Sequence, residues 1–377
     1  MVNKTISIAI LFCIVILFCF TGYAGSDDKV VRIAAVFAKT GPGSKDNIEH
    51  LKGVRLAVKE INSAGGVLGR KIELIEFDNE SSTFMSMKAG EKAVEEGVAA
   101  VIGASWSSHS MALAPVLQKA GIPMLTPAST NPEITRVGNF IFRICYEDTL
   151  QGHAIAVFAR KDLGLSTAVV LTNTNSLFSI GLAEEFIRHF KEIGGIILYE
   201  GDYLTEDTDF YDLIKAIKDL GPHAVFIPGY YRNSALIIKQ CKNMGMNPIF
   251  IGGDGWTEDM YHYAGELIEG SYFASFWHRD MDNEKSRMFV KNFEREFGRI
   301  INSGTPQAYD AVYLFADAVK RANSFDGNAI RAALQDTIDF IGVTGKISFD
   351  ENGDPRKPVV ILRFEKHGIK LVKTINP

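Results

Sequence analysis

Cysteine is scarce in this chain, and what there is has no pattern. Four occur in 377 residues, at Cys13, Cys19, Cys145 and Cys241, without the paired spacing of a zinc centre or a disulfide framework. Eight histidines are scattered with no ligand motif, so no metal site is indicated. No G-x-G-x-x-G follows the first predicted strand, which argues against a dinucleotide-dependent oxidoreductase and against any nucleotide cofactor. Positive charge is in deficit as well. With 40 Lys and Arg against 45 Asp and Glu, the formal net charge is −5, and no basic stripe offers itself to nucleic acid. Heptads, low-complexity tracts and Gly/Ser-rich linkers are missing too.

A long apolar run occurs once, at the N-terminus. Met1–Thr5 carries Lys4, Ile6–Phe20 is apolar except for Ser7, and Gly22-Tyr23-Ala24 supplies small residues. That tripartite order predicts a secretory signal peptide over residues 1–24, cleaved after Ala24. The run is short for a membrane span, which needs roughly 20 residues. Cys13 and Cys19 follow Phe12 and Phe18, where a lipoprotein signal wants a small residue. Export to the periplasm is the expectation, and Cys145 and Cys241 are expected as buried thiols in the mature chain.

Beyond the signal, strand-like and helix-like patterns alternate. Val30–Ala38 is a mostly apolar run; His50–Ala64 places Leu51, Val54, Val58 and Ile61 on one helical face and stops at Gly65-Gly66. Lys71–Asp78, Phe84–Glu96, Ala99–Ile102, Ser108–Ala120 and Pro123–Leu125 continue the alternation. It restarts after Arg143 with a helix over Thr149–Asp162, a strand over Thr167–Thr172 and a helix over Ser179–Ile193, and runs on to Ile249–Gly252. Such order predicts an α/β protein with parallel sheets covered by helices. The length predicts two units.

In open α/β sheets ligands sit beyond the carboxyl ends of the strands. Five segments hold that position: Ser105–Ser110, Thr126–Thr130, Asn173–Phe178, Gly229–Tyr231 and Gly252–Trp256. The first two offer hydroxyls from Ser105, Ser107, Ser108, Ser129 and Thr130, and the Ser107–Ser108 step opens a helix whose free N–H groups attract anions. None of the five contains Lys or Arg, and Asp254 is their one carboxylate. Phe178, Tyr230, Trp256 and Trp106 are candidates for apolar walls. Neutral anion donors on one unit facing a carboxylate on the other suit a small zwitterion, an α-amino acid.

The segments NSAGGVLGRKIELIEFDNE, AVIGASWSS, GIPMLTPASTNPEIT, VFIPGYYRN and IFIGGDG resemble the branched-chain amino-acid binding proteins of bacterial ABC transporters, in order from about Val31 to Phe364. The resemblance implies a type I periplasmic binding protein: two Rossmann-like lobes with parallel-sheet cores joined by a three-crossing hinge. Lobe one would comprise 29–144 plus 280–345, and lobe two 148–275 plus 351–377. The crossings would lie near 145–147, 276–279 and 345–350. It further implies that Ser107 and Thr130 hold a ligand α-carboxylate, with Ser129 in the same loop. The Ala128 carbonyl, the Thr130 hydroxyl and Asp254 would receive the α-ammonium, and Phe178 and Tyr230 would close the site. The sequence departs from the family in having Asp254 for a longer glutamate, Phe178 without a phenolic hydroxyl, and a bulky Trp106. The implied partners are a small amino acid, aliphatic, branched or aromatic, and an inner-membrane ABC permease, with the protein acting as a monomer.

Plainer readings compete. Hydroxyls at helix starts are commonly caps, and Asp between glycines is commonly a turn residue. The Gly103–Ser107 stretch approaches a nucleophile elbow at Ser105 but lacks the second glycine. Asp350–Asp354 begins like a calcium loop yet lacks glycine at the sixth position, which predicts a hairpin turn instead. Tyr309-Asp310 is expected to open a helix at the edge of the cleft. A sensor of the same fold and a secreted hydrolase remain the alternative functions.

Overall fold

A computed structural model describes residues 29–281, 283–299, 302–366 and 368–377; the expected signal segment lies outside them. Among the described residues, no helix is long and apolar enough to cross a membrane. Val30–Phe37 (β1) is buried on both faces from Ile33 onward, as a central parallel strand should be. It lies between β2 (Lys71–Asp78) and β3 (Val101–Gly103), and β4 (Met124–Thr126) and β5 (Ile141–Arg143) complete a five-stranded sheet ordered β2-β1-β3-β4-β5. Every pairing in it is parallel. The two-residue alternation of β1 divides the core. Ile33, Ala35 and Phe37 face Leu51, Val54 and Val58 of the helix Ser44–Ser63, whereas Ala34 and Val36 face Ala89, Leu113 and Leu117 on the other side.

The second sheet has seven strands, in the order β14 (Gly368–Ile375), β13 (Val359–Glu365), β10 (Tyr272–Ser275), β9 (Ile249–Gly252), β8 (Ala224–Ile227), β6 (Thr167–Asn173) and β7 (Ile196–Tyr203). From β10 to β7 the strands are parallel; β13 and β14 add an antiparallel edge. Its two faces carry separate cores, one around Val169, Leu171 and Ile238, the other around Val170, Leu182 and Phe186. The long helix Gly304–Ala322 returns to the first sheet, where Ala308, Val312 and Phe315 join its core. The chain therefore passes between the sheets after β5, after β10, and again before β13.

Element ends differ from the sequence reading in instructive places. The helix expected from His50 starts at Ser44, one and a half turns earlier. The helix expected over Thr149–Asp162 is α-helical only over Asp148–Val157 and widens into a π turn at Phe158–Asp162. Cys145 and Cys241 are buried free thiols. Asp350–Asp354 forms a turn closed by an antiparallel bridge between Phe349 and Pro355. Tyr309 does not reach the cleft: its hydroxyl donates to Glu60 Oε2 at 2.5 Å, and the Asp310 carboxylate accepts the Val343 and Thr344 N–H groups. Both sit inside the helix Gly304–Ala322, past its first turn.

Arg143 ends β5 with a fully buried side chain. It donates to the carbonyls of Ser129 (3.1 Å), Asn131 (3.0 Å) and Pro132 (3.2 Å), and pairs with Asp354 in the turn after the third passage. One cation thus fixes the loop after β4 to a segment 211 residues away. Removing the acid would leave a buried guanidinium without its counter-charge, a change that costs about 3–5 kcal/mol in comparable pairs. Asp354→Ala should lower the urea midpoint by a corresponding amount with an unchanged m-value; a midpoint within error of the parent would show that the pair contributes nothing.

Candidate functional site

In the first sheet the strand order reverses between β1 and β3, and in the second between β6 and β8. The loops leaving these strands face each other. Ser108 Oγ accepts the Leu177 N–H (3.1 Å), and Asn131 Nδ2 donates to the Leu177 carbonyl (3.0 Å). Lys45 meets Asp259 at 2.5 Å and Arg299 meets Glu258 at 2.5 Å. The Trp106 indole stacks on the Tyr230 ring, centroids 4.1 Å apart and planes 17° from parallel. The two units are therefore in contact around a small cavity of about 20 Å³. A larger one, about 260 Å³, lies nearer Trp277 and Arg279 and contains none of the eight residues singled out as ligand contacts.

Four of those eight line the smaller cavity: Trp106, Ala128, Tyr230 and Asp254. The other four sit behind its wall. Most hydroxyls at the strand ends are committed to the protein's own carbonyls. Thr126 Oγ1 (2.6 Å), Ser110 Oγ (3.1 Å) and Ser129 Oγ (3.2 Å) all donate to the Ala104 carbonyl, and Ser129 also reaches the Ser105 carbonyl at 2.9 Å. Ser107 Oγ accepts the Asn131 N–H at 3.3 Å. The serines and threonines that break off these strands thus satisfy backbone groups that the short strands leave unpaired. Phe178 is buried beneath Tyr230, ring centroids 5.3 Å apart. Gly255 permits that packing, since a Cβ there would lie 2.8 Å from the Gly229 carbonyl and 3.0 Å from the Phe178 ring. Trp256 is no wall of this cavity; it packs into the second core against Phe273 and Phe364.

Thr130 differs from its neighbours. Its hydroxyl is fully buried beside the equally buried Asp148 carboxylate rather than on a backbone carbonyl, and the Asp148 N–H donates to the Thr130 carbonyl at 2.9 Å. Burial drives the Asp148 carboxyl well above its ordinary range, with the nearby Thr130 hydroxyl opposing and the Asp254 charge reinforcing the shift. Asp254 is cradled by one amide: Gln151 Nε2 donates to Oδ1 at 2.6 Å, and Gln151 Oε1 accepts the Asp254 N–H at 2.9 Å. Burial pushes its pKa up to about 7, against the pull of Gln151. The helix Ser107–Ala120 begins at Trp106 with no side chain capping its first N–H groups, which leaves them to attract an anion.

Sequence reasoning missed the loop after β1 itself. Asp46 and His50 lie one turn apart in the helix Ser44–Ser63, and both line the cavity with Ser105 and Asn302. His50 Nδ1 is 2.5 Å from Ser105 Oγ, and Asn302 Nδ2 donates to Asp46 Oδ1 at 3.1 Å. His50 fits because residue 304 is glycine; a Cβ there would approach its ring to 2.0 Å. The signal was present, as Thr40–Gly43 follows the apolar run of β1 at the same strand end as the other loops.

A family model described as periplasmic binding protein matches residues 30–368. The chain is 31% identical to a Leu/Ile/Val-binding protein homolog of Brucella melitensis, covering 94% of this chain and 96% of that protein. Among solved structures, a leucine-binding protein of Thermotoga maritima superposes with a TM-score of 0.89 at 34% identity, covering 92% and 99% of the two chains. A branched-chain amino-acid transporter substrate-binding protein of Streptococcus pneumoniae, in complex with isoleucine, gives 0.88 at 28% identity, covering 93% and 100%.

The raised Asp254 carboxyl has a measurable consequence. Folded protein retains that proton up to about pH 7, whereas the unfolded chain releases it near the ordinary value of 3.8. The folded state binds more protons across this window, so the stability due to Asp254 is greatest below it and is lost as pH rises through it. Relative to the ligand-free parent, Asp254→Asn should gain stability steadily from pH ~4 to ~7, read from urea midpoints. A constant difference across that range would place the carboxyl at its ordinary value.

Proposed function

The chain belongs to the periplasmic binding protein family, and on that premise we propose that it is an extracytoplasmic solute-binding protein that captures an amino acid and delivers it to an ABC permease in the inner membrane. The observation that carries this reading is the placement of opposite electrostatic demands on opposite walls of one cavity. On the first unit, the uncapped start of the helix Ser107–Ala120 offers N–H groups to an α-carboxylate. On the second, Asp254 presents a carboxylate held only by a neutral amide. An α-ammonium placed between Asp254, the Ala128 carbonyl and the Thr130 hydroxyl would meet one acid and two neutral acceptors, with Asp254 and Ala128 lining the cavity itself. Asp148, buried and close enough to Asp254 to feel its charge, adds to the same demand for a cation.

Closure follows from that division. The backbone segments near 145–147, 276–279 and 345–350 act as the hinge, with residues 29–144 and 280–345 moving against 148–275 and 351–377. The open protein binds ligand on the first lobe, and Asp254 with Tyr230, backed by Phe178, closes over it. A ligand bearing both charges favours the closed state because it interacts with both lobes only there. The reading needs no chemical step and assigns no catalytic residue. The protein works as a monomer, exported by the segment 1–24.

Branched-chain amino acids are the first ligands to offer, since the relatives carry that specificity in their names. A bound amino acid at about 100 times its dissociation constant adds roughly 2.7 kcal/mol of stability. Asp254→Ala should abolish the resulting rise in Tm for every amino acid tested, while its ligand-free melting stays cooperative. Undiminished binding by that variant, or a rise produced by carboxylic acids lacking an amino group alone, would remove the basis of this assignment.

A further inference from the structure

One end of the cavity is not apolar. Opposite Asp254 stand Asp46, His50, Ser105 and Asn302, all contributed by the first unit. Asn302 Nδ2 lies 3.1 Å and His50 Nε2 3.6 Å from the same Asp46 oxygen, Oδ1; Oδ2 takes part in neither contact. Burial holds the His50 ring below its ordinary pKa, so it offers one donor and one acceptor rather than a positive charge. Burial raises the Asp46 carboxyl above its ordinary value, and hydrogen bonding from the Trp106 indole N–H on the adjoining wall opposes that rise. An aliphatic side chain lodged here would strip water from the Asp46 carboxylate and return no hydrogen bond, a penalty of about 1–3 kcal/mol. The space is also short. The Trp106–Tyr230 stack roofs it, and the indole is pressed against Gly43, where a Cβ would lie only 2.8 Å from the ring.

We propose that Asp46, oriented by Asn302 and His50, is a specificity-determining residue that selects amino acids whose short side chain ends in a hydrogen-bond donor, a hydroxyl or an amide. The inference rests on the amino-acid reading of the preceding subsection and concerns the side-chain end of the same cavity. A pocket that hydrogen-bonds a substrate group rejects the isostere lacking it, because the pocket's own polar atoms are then left unpaired; an apolar pocket discriminates far less.

Threonine and valine have nearly the same shape and differ by a hydroxyl for a methyl; asparagine and leucine form a second such pair. Isothermal titration of the mature protein should give threonine at least ~10-fold tighter binding than valine, and asparagine at least ~10-fold tighter than leucine. In Asp46→Leu both ratios should fall to within about threefold, chiefly through tighter valine and leucine binding. Asn302→Ala, which leaves the helix Ser44–Ser63 intact, should narrow them in the same direction. Valine and leucine binding as tightly as their polar counterparts to the parent protein would overturn the polar subsite while leaving amino-acid capture in place. Ratios unchanged in both variants would overturn the role of Asp46. Failure of all four to bind would overturn the subsite together with the reading beneath it.

Discussion

A half-buried carboxylate held between two sheets seeks positive charge or a proton, and Asp254 has the neutral Gln151 amide. Gln151 fixes the acid in position and withholds what would neutralise it. Asp46 and Asp148 share the region, and each carboxyl is driven upward by burial with Asp254 among its neighbours or theirs. Like charges sharing a site raise one another's pKa, so these acids favour either a proton or a cation. A bound ammonium relieves that condition; a neutral or purely anionic molecule does not.

The polar architecture around this acid sorts into groups that hold the site and groups that wait on a ligand. Ser110, Thr126 and Ser129 converge on one carbonyl, that of Ala104, and Arg143 gathers the carbonyls of Ser129, Asn131 and Pro132. The loop carrying Ala128 and Thr130 is thus pinned from both sides by bonds that do not involve the cavity. Rigidity there means that a ligand need not order the loop as it binds, so less of its interaction energy is lost to entropy. Thr130 and Trp106 turn instead to acids: their donors lie against the Asp148 and Asp46 carboxyls, both of which burial raises.

The parallel sheets were legible because β1, β3, β6 and β8 are short apolar runs punctuated by turn residues, and such runs need no distant partner to be recognised. Asp254, Tyr230, Trp106 and Ala128 were legible for a related reason: each follows a strand directly. Hydroxyls were harder, since a serine at a strand end looks alike whether it faces a ligand or a carbonyl, and Ser107 and Ser129 turned out to face the protein. Asp46 and His50 escaped because the helix was begun at His50. Its true start at Ser44 rests on Gly41 and Gly43 and the loop to Ser81, contacts invisible in the local pattern. Arg143 read only as the point where one unit ended. Its partner Asp354 is too far along the chain for any local period to connect them.

Contacts across the cleft are individually weak, and that weakness has a use. The Lys45–Asp259 and Arg299–Glu258 pairs each have a half-exposed cation, a setting in which an ion pair contributes about 0–1 kcal/mol. The Trp106–Tyr230 stack adds about 0.5–1.5 kcal/mol. Against these stands the repulsion between Asp46 and Asp254, which face each other across the cleft. Under the proposed hinge closure, attraction and repulsion across the cleft therefore oppose each other. A ligand can shift such an equilibrium only by its differential affinity for the two states, so a small intrinsic gap lets a modest differential decide the outcome. In the proposed mechanism the same carboxylates that favour an ammonium also oppose closure without one.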